Sequence, residues 1–396
     1  MRRALVCALA IPALVLGVSA CASSSSSGTA SDTGTSAATS AASAATSAAT
    51  SAATDAGLAA AQAAVDQYAT ETKEVGVTIP LTSKPKAGVK FAYLQCELES
   101  CQYGAKAAKE ATAALGWELI TIASKSATPA AAFQQAIDSG AQYIASTGEA
   151  PALYKEQAMA AKAKGIKMLS CYDTTVPDPA TTNIWTQCGD TTFVEKTGPL
   201  MANWAIADSK GAAHILSVSI PSFPVLKSET DAFTAEAKKN CPACSVTDLN
   251  VSINDLVGGK VPALVANAVQ ADPKINYVFN SFGSLPAGET AALKSAGLLD
   301  RVKVYGQDFS GFDLDEIVKG TQHAWSADPK GLASWLMVDA AARLSVGMEL
   351  TEERKAAALP TYLVQTADQA KAVITVGGDW NPPGMSDTFK KLWLVG

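Results

Sequence analysis

The chain runs to 396 residues, more than one compact domain usually holds, so two domains of ordinary size are expected. Its formal charge is −6, from 31 Lys and Arg against 37 Asp and Glu, which excludes the basic surface of a nucleic-acid binder. Apolar residues make up 48%, enough for a sizeable core, yet beyond the N-terminus no run of ~18 apolar residues predicts an internal membrane span.

Met1-Arg2-Arg3 is a positive start, Ala4 to Gly17 is apolar, and Val18-Ser19-Ala20-Cys21 has the form of a bacterial lipobox. Residues 1–20 are therefore expected to be a lipoprotein signal peptide. Cys21 would be the lipidated first residue of an exported chain, anchored by lipid alone to the outer face of the cell membrane. An ordinary secretory signal or an N-terminal anchor helix are the alternatives. Residues 21–54 are Ser, Ala, Thr and Gly with one charge, Asp32, and with nothing to bury they predict a flexible tether. Residues 55–86 are expected to hold a short amphipathic helix, Asp55 to Thr72 with Leu58, Val65 and Tyr68 on its apolar face, and then an extended linker through Pro80 and Pro85. The folded part is placed from about Ala87 onward.

From there strands and helices alternate. Strands are predicted at Val89 to Leu94, Trp117 to Ile122, Gln142 to Ser146 and Ile166 to Ser170. The helices between them are Gln102 to Leu115, Pro129 to Ser139 with Thr128 as its cap, and Ala152 to Lys164. After Asp190 the pattern restarts. Strands at His214 to Ser219, Ser245 to Val251, Ile275 to Asn280, Arg301 to Tyr305 and Gln322 to Ser326 are interleaved with helices at Phe193 to Ala207, Val225 to Lys239, Lys260 to Gln270, Pro286 to Ala296 and Leu314 to Lys319. A long helix follows at Pro329 to Val346. Such alternation predicts parallel sheets with right-handed crossovers. The expected fold is α/β, two Rossmann-like lobes facing each other, with a ligand cleft at the strand ends. Crossings near Gly189, Ala327 and Pro360 would give a three-strand hinge. The first lobe would take 87–189 plus 328–360 and the second 190–327 plus 361–396. For the final segment, with Trp380 and Trp393, packing on the second lobe and contact with a partner both stay open.

The residues from Val89 to Ala327 resemble the type I periplasmic solute-binding proteins, in the ribose-binding branch that feeds ABC importers. The resemblance rests on Tyr93 to Cys96 at a strand end, Ala114 to Trp117, Gln134 to Asp138, Ala163 to Ile166, Tyr305 to Asp308, and His323 to Trp325 before Asp328-Pro329. The second Cys five residues after Cys96 is similar to actinobacterial lipoprotein members. The resemblance implies a monomeric, non-enzymatic receptor that closes on a small polar solute, a sugar or polyol first of all, and delivers it to ABC permease subunits. A ligand sensor serving a membrane receptor or kinase, and a binder of an aromatic or cationic molecule, are the alternatives. No cofactor is implied.

Carried over residue by residue, the resemblance puts Asp308 at a second-lobe strand end, where a carboxylate accepts from two neighbouring hydroxyls; capping of the next helix explains the same residue. Elsewhere the sugar-binding pattern is altered. Tyr172 and Asp173 stand where an Asp-Arg pair is usual, Lys227 and Glu229 stand near a usual Arg, Phe282 replaces an Asn, and Ala327 lies near a usual Gln. Trp185, Phe223, Phe309 and Trp325 offer aromatic faces, though each taken alone is better explained as core. The first strand-end loop adds Gln95, Glu97, Gln102 and Tyr103, whereas Glu99 reads as part of a solvated acidic loop.

Once Cys7 leaves with the signal and Cys21 takes lipid, six cysteines remain, with fifteen possible connectivities. Export favours disulfides, and the spacing suggests Cys96 with Cys101, Cys171 with Cys188, and Cys241 with Cys244. Cys241-Pro242-Ala243-Cys244 also has thiol-redox spacing, but it follows a helix where redox chemistry needs a helix start. The two histidines, His214 and His323, make no metal-ligand spacing. No GxSxG, GxxxxGK[ST] or HExxH motif occurs.

Overall fold

The computed structural model describes residues 55–189, 191–350 and 356–396; Cys21, the segments 1–20 and 21–54, and Asp190 lie outside the described residues. Nine of the strands were expected from apolar runs, and with β5, β11 and β12 they assemble into two six-stranded sheets. The first contains β1 (Lys90–Gln95), β2 (Glu118–Ala123), β3 (Tyr143–Thr147), β4 (Lys167–Cys171), β5 (Ile184–Cys188) and β11 (Ala356–Ala357), in the order β11-β5-β4-β3-β1-β2. The second contains β6 (His214–Ser219), β7 (Ser245–Asn250), β8 (Tyr277–Asn280), β9 (Lys303–Gln307), β10 (Trp325–Ser326) and β12 (Leu363–Val364), in the order β12-β10-β9-β8-β6-β7. Every pairing is parallel except β10 with β12. Both sheets thus share one doubly wound core order, which reverses between β1 and β3 in the first and between β6 and β8 in the second. Such a reversal opens a crevice at the carboxyl ends of the strands.

Burial explains why the central strands are continuous apolar runs. Phe91, Ala92, Tyr93 and Leu94 of β1 are all buried, with β2 on one side and β3 on the other. Among the helices, α2 (Glu99–Ala114) and α11 (Lys330–Ser345) cover the first sheet, and Leu332, Trp335, Leu336 and Met337 share one core with Phe91 and Tyr93. The helix α6 (Pro224–Asn240) packs on the long α5 (Thr191–Ser209) against the second sheet, where Phe233 stacks on Phe279 at 4.3 Å.

Four differences from the sequence expectations have physical causes. The strand β5 carries two buried polar residues, Thr186 and Gln187, which hide it from an apolar pattern. It begins after Asn183, whose left-handed φ of 60° and buried amide, donating to Ala158 O and Ile166 O, terminate the preceding loop. Second, α3 (Ala130–Asp138) has no side-chain cap, so Thr128 does not cap it. Third, the folded part begins before Ala87. A helix α1 at 55–68, shorter than the expected 55–72, sets Val65 against Leu200 and Trp204 and packs Leu58 and Ala61 on Ile206. Val75, Val77 and Leu81 then join the first-lobe core, where Ile79 O accepts from Arg343 Nη2 at 2.7 Å.

The fourth difference is the C-terminus. Val364, Ala370, Val373 and Trp380 pack with Trp325 of the second sheet, but Phe389, Leu392 and Trp393 bury on the first lobe. There the Trp393 ring stacks on Trp335 at 5.1 Å, and its Nε1 donates to Asp339 Oδ1 at 2.8 Å. Residues 361–396 are therefore divided between the lobes, because the amphipathic helix Met385–Leu392 finds its apolar partner on α11.

The Gly377-Gly378-Asp379-Trp380-Asn381 stretch acquires its role from the same helix. A helix start leaves N–H groups without intrahelical partners, and no side chain adjacent in sequence caps α11. Instead Asp379 accepts from Lys330 N at 3.3 Å and Gly331 N at 2.8 Å, and Asn381 Oδ1 accepts from Leu332 N at 2.7 Å. A side chain at position 331 would place its Cβ 2.6 Å from Asn381 Oδ1, so this close approach requires glycine. Loss of such a cap typically costs about 0.5–2 kcal/mol. Asn381→Ala is accordingly expected to lower stability by about 1–2 kcal/mol in urea unfolding, with m unchanged.

Candidate functional site

The strand ends of both sheets line one cavity, a concave setting of the kind that small molecules occupy. Tyr93, Thr147, Gly148 and Tyr172 come from the first lobe. Gln307 and Asp308 come from the end of β9, Phe282 follows β8, and Glu229 projects from α6. Asp328 and Lys330 occupy the crossing from β10 into α11.

The centre of the site is one ammonium between two carboxylates. Lys330 Nζ lies 2.9 Å from Asp308 Oδ2 and 2.6 Å from Asp328 Oδ2, with side-chain exposures of 12%, 12% and 3%. At that burial the pairs are shielded from water and strong only while complete. The hydroxyl of Tyr172 donates to the other oxygen of Asp328, and the Lys330 ammonium lies 4.0 Å from the centre of the Tyr172 ring, a cation–π contact. Burial alone would lower the Lys330 pKa, but Asp308 and Asp328 outweigh it and hold the ammonium above its ordinary value. For Asp308, burial pushes the carboxyl upward while the adjacent Lys330 ammonium pulls it down and favours the ionised pair. Glu229, fully buried, is pushed well above the usual carboxylate range by burial and then by Asp308 and Asp328. That burial favours its protonated form, in which it is a donor as well as an acceptor. With its amide turned to face them, Gln307 donates to Ser281 O at 2.7 Å and Glu229 Oε1 at 3.2 Å.

Two of these residues sit in left-handed backbone, Tyr172 at φ 58° and Asp308 at φ 57°. That region is uncommon for residues other than glycine, and such positions concentrate at functional sites. Backbone bonds hold both: Tyr172 N donates to Cys188 O at 2.7 Å, and Asp308 N to Ser326 O at 2.9 Å. Cys171 is bonded to Cys188, tying the ends of β4 and β5 directly beside Tyr172. Cys96 is bonded to Cys101 and closes the loop between β1 and α2. Cys241, bonded to Cys244, follows the last residue of α6, the helix end unsuited to thiolate stabilisation.

The closed Cys96–Cys101 loop reaches the second lobe. Leu98 packs against the cluster containing Phe282 and Leu285. Glu99 Oε1 accepts from Gly311 N at 3.2 Å and from Tyr103 OH at 2.6 Å. Glu99 is thus not a solvated loop residue: it bonds the first N–H of the second-lobe helix α10 (Gly311–Lys319), where the helix dipole favours a carboxylate.

Of the residues singled out in the sequence, Tyr172, Phe223, Glu229, Phe282 and Asp308 line the cavity; Gln95, Glu97, Gln102, Asp173, Trp185, Lys227 and Phe309 do not. Glu97 turns away to accept from Ser126 N and Oγ, both at 3.1 Å, and Gln102 is exposed on α2. Asp173 is buried and accepts from Thr175 N and Oγ1, both at 2.9 Å. Lys227 points outward and pairs with Asp231 at 2.6 Å, both side chains exposed. Trp185 lies along β5 with its Nε1 on Asn183 Oδ1 at 3.2 Å, and Phe309 packs with Leu314 and Trp325. Gln95, half-buried at the end of β1, uses its backbone oxygen for Ser124 N. Sequence reasoning missed Asp328, Lys330 and Gln307. Gln307 precedes the singled-out Asp308, and Asp328-Pro329-Lys330 opens a predicted helix, so two charges at a lobe crossing were the available signal.

Residues 101–349 match the family model described as a periplasmic binding protein domain. The chain belongs to the periplasmic binding protein family. Its members are binding proteins rather than enzymes. No curated protein matches the chain significantly. Among solved structures, a 5-methylthioribose transporter solute-binding protein from Thermotoga lettingae is similar with a TM-score of 0.62 at 19% identity, over 79% of this chain and 100% of that one. A sugar ABC transporter from Yersinia enterocolitica gives a TM-score of 0.63 at 16% identity, over 80% and 100%. A carbohydrate transporter from Acidothermus cellulolyticus, in complex with myo-inositol, gives 0.60 at 20%, over 73% and 98%. At these identities the likeness establishes the two-lobed fold.

Removing the central ammonium leaves two carboxylates stranded in a poorly solvated site, a loss of roughly 3–5 kcal/mol for a buried pair. Lys330→Met is therefore expected to lose stability most at pH 8 and less at pH 5, where protonation relieves the stranded carboxylates. Urea unfolding of the variant and the parent at both pH values checks the sign.

Proposed function

We propose that this protein is the solute-binding component of an ABC importer and takes a sugar or polyol in the interlobe cleft. The observation that carries the reading is the Asp308–Lys330–Asp328 array at the strand ends. Carboxylate oxygens accept from adjacent hydroxyls, and the buried Glu229, pushed toward its protonated form, can donate as well as accept, which suits a ligand that is itself a row of donor–acceptor groups. Neighbours of the same fold bound to 5-methylthioribose, myo-inositol and allitol add support. The lobes would close on the solute by hinge motion, and the closed form would be what the permease recognises.

The same reading includes export and attachment through a lipidated Cys21, with residues 21–54 as the tether and the three cysteine pairs oxidised in that compartment. Among the described residues no helix is long and apolar enough to cross a membrane. Cys21→Ser is expected to move the protein from the membrane pellet to the soluble fraction of cells expressing it; retention in the pellet would remove the lipid anchor from the reading.

The ligand reading is tested by thermal shift with a panel of pentoses, hexoses and polyols. A ligand at 100 times its Kd adds ~2.7 kcal/mol to stability, a rise of several degrees in Tm. Asp308→Asn should weaken the ligand so found by at least tenfold, since a hydrogen bond to a charged group contributes about 1.5–3 kcal/mol.

A further inference from the structure

The cavity is chemically two-sided. Its charged residues gather at one pole, where Tyr172, Gln307, Asp308, Asp328 and Lys330 are linked to one another or to Glu229. Tyr93, Ser100, Ser126 and Thr147 add hydroxyls elsewhere, and the rest of the wall is mainly aliphatic and aromatic. Leu98, Phe223 and Leu226 pack around Phe282 in one cluster, and Phe193, Val194 and Val225 continue the wall in another that Leu226 also borders. One helix carries both poles. Val225 and Leu226 occupy the first turn of α6 and Glu229 the second, so the change from apolar to polar occurs along one helix face over about 5 Å.

A plain sugar bears hydroxyls around its whole rim. Seated on the polar pole, it would turn others toward Leu98, Val194, Val225 and Leu226, none of which has a side-chain donor or acceptor. Polar groups covered without partners are costly. Aromatic rings can stack on sugar C–H faces, but these four aliphatic residues extend the wall beyond what ring stacking explains.

Building on the sugar-binding reading, we infer that the ligand is a sugar or polyol with an apolar substituent at one end, an alkylthio, alkyl or aryl group. Its hydroxyls meet Asp308, Gln307 and Glu229, and its substituent fills the space bounded by Leu98, Phe223, Leu226 and Phe282. Both halves of the cleft are then used, and removing the substituent's surface from water adds to affinity in proportion to the area covered.

The test is calorimetric titration of the full-length protein with matched pairs: ribose against 5-methylthioribose, and glucose and galactose each against its phenyl 1-thio-β-glycoside. In at least one pair the substituted compound is expected to bind at least tenfold more tightly. Leu98→Ser and Leu226→Ser should shrink that ratio toward one, while Lys227→Ala, on the outer face of the same helix, leaves it unchanged. Parent sugars that bind as tightly as their substituted partners, or a ratio untouched in both serine variants, would overturn the inference and leave the sugar reading standing. Absence of binding across the panel, with the protein still melting cooperatively, would overturn both.

Discussion

The ammonium of Lys330 joins three parts of the chain that are far apart in sequence or in the fold. Asp308 ends a strand of the second sheet, Asp328 sits in the crossing, and Lys330 opens a helix of the first lobe. With Tyr172 bonded to Asp328 from the first sheet, the ion cluster is held from both lobes. A buried pair of this kind is worth little against an apolar replacement of the same shape, but it tolerates the loss of neither partner. Its value lies in placement: charge is fixed where the two lobes meet and where a polar solute would be enclosed.

That placement depends on the far end of the chain. Lys330 is the first residue of α11, and the free N–H groups of that turn are bound by Asp379 and Asn381, about fifty residues later. Trp380, between them, is buried with Trp325 of β10. The segment therefore packs on the second lobe while it caps a helix of the first, and it sets the angle at which α11 enters the cleft. Burial raises the Asp379 carboxyl to about 6, opposed by Asn381, Gly331 and the Lys330 charge, so the cap is ionised at neutral pH.

Much of this architecture was legible in the sequence because parallel strands buried on both faces are apolar runs, as in Phe91 to Leu94 and Val278 to Phe279. It was illegible where tertiary partners override local chemistry. The strand β5 hides behind buried Thr186 and Gln187, and the final helix looked like second-lobe material until Trp335 supplied its partner. In the cleft, the positions singled out by family pattern reach the cavity at Asp308, Tyr172, Glu229, Phe223 and Phe282, whereas Lys227 and Gln102 miss it. A helix presents only one face, and in α6 the cleft face is Val225, Leu226 and Glu229. Lys330 was hidden because its meaning arises only when two lobes fold together.

One consequence follows from the N-terminal segment. The helix at 55–68 rests on the second lobe through Val65, and Val75, Val77 and Leu81 are built into the first, so the stretch from 69 to 74 bridges the lobes outside the hinge. Within it Glu71 Oε1 accepts from Trp380 Nε1 at 2.8 Å, so only residues 72–74, spanning at most ~11 Å when fully drawn out, separate that tie to the second-lobe cluster from Val75 in the first. An opening of the cleft would have to be accommodated by that short bridge as well as by the chain crossings.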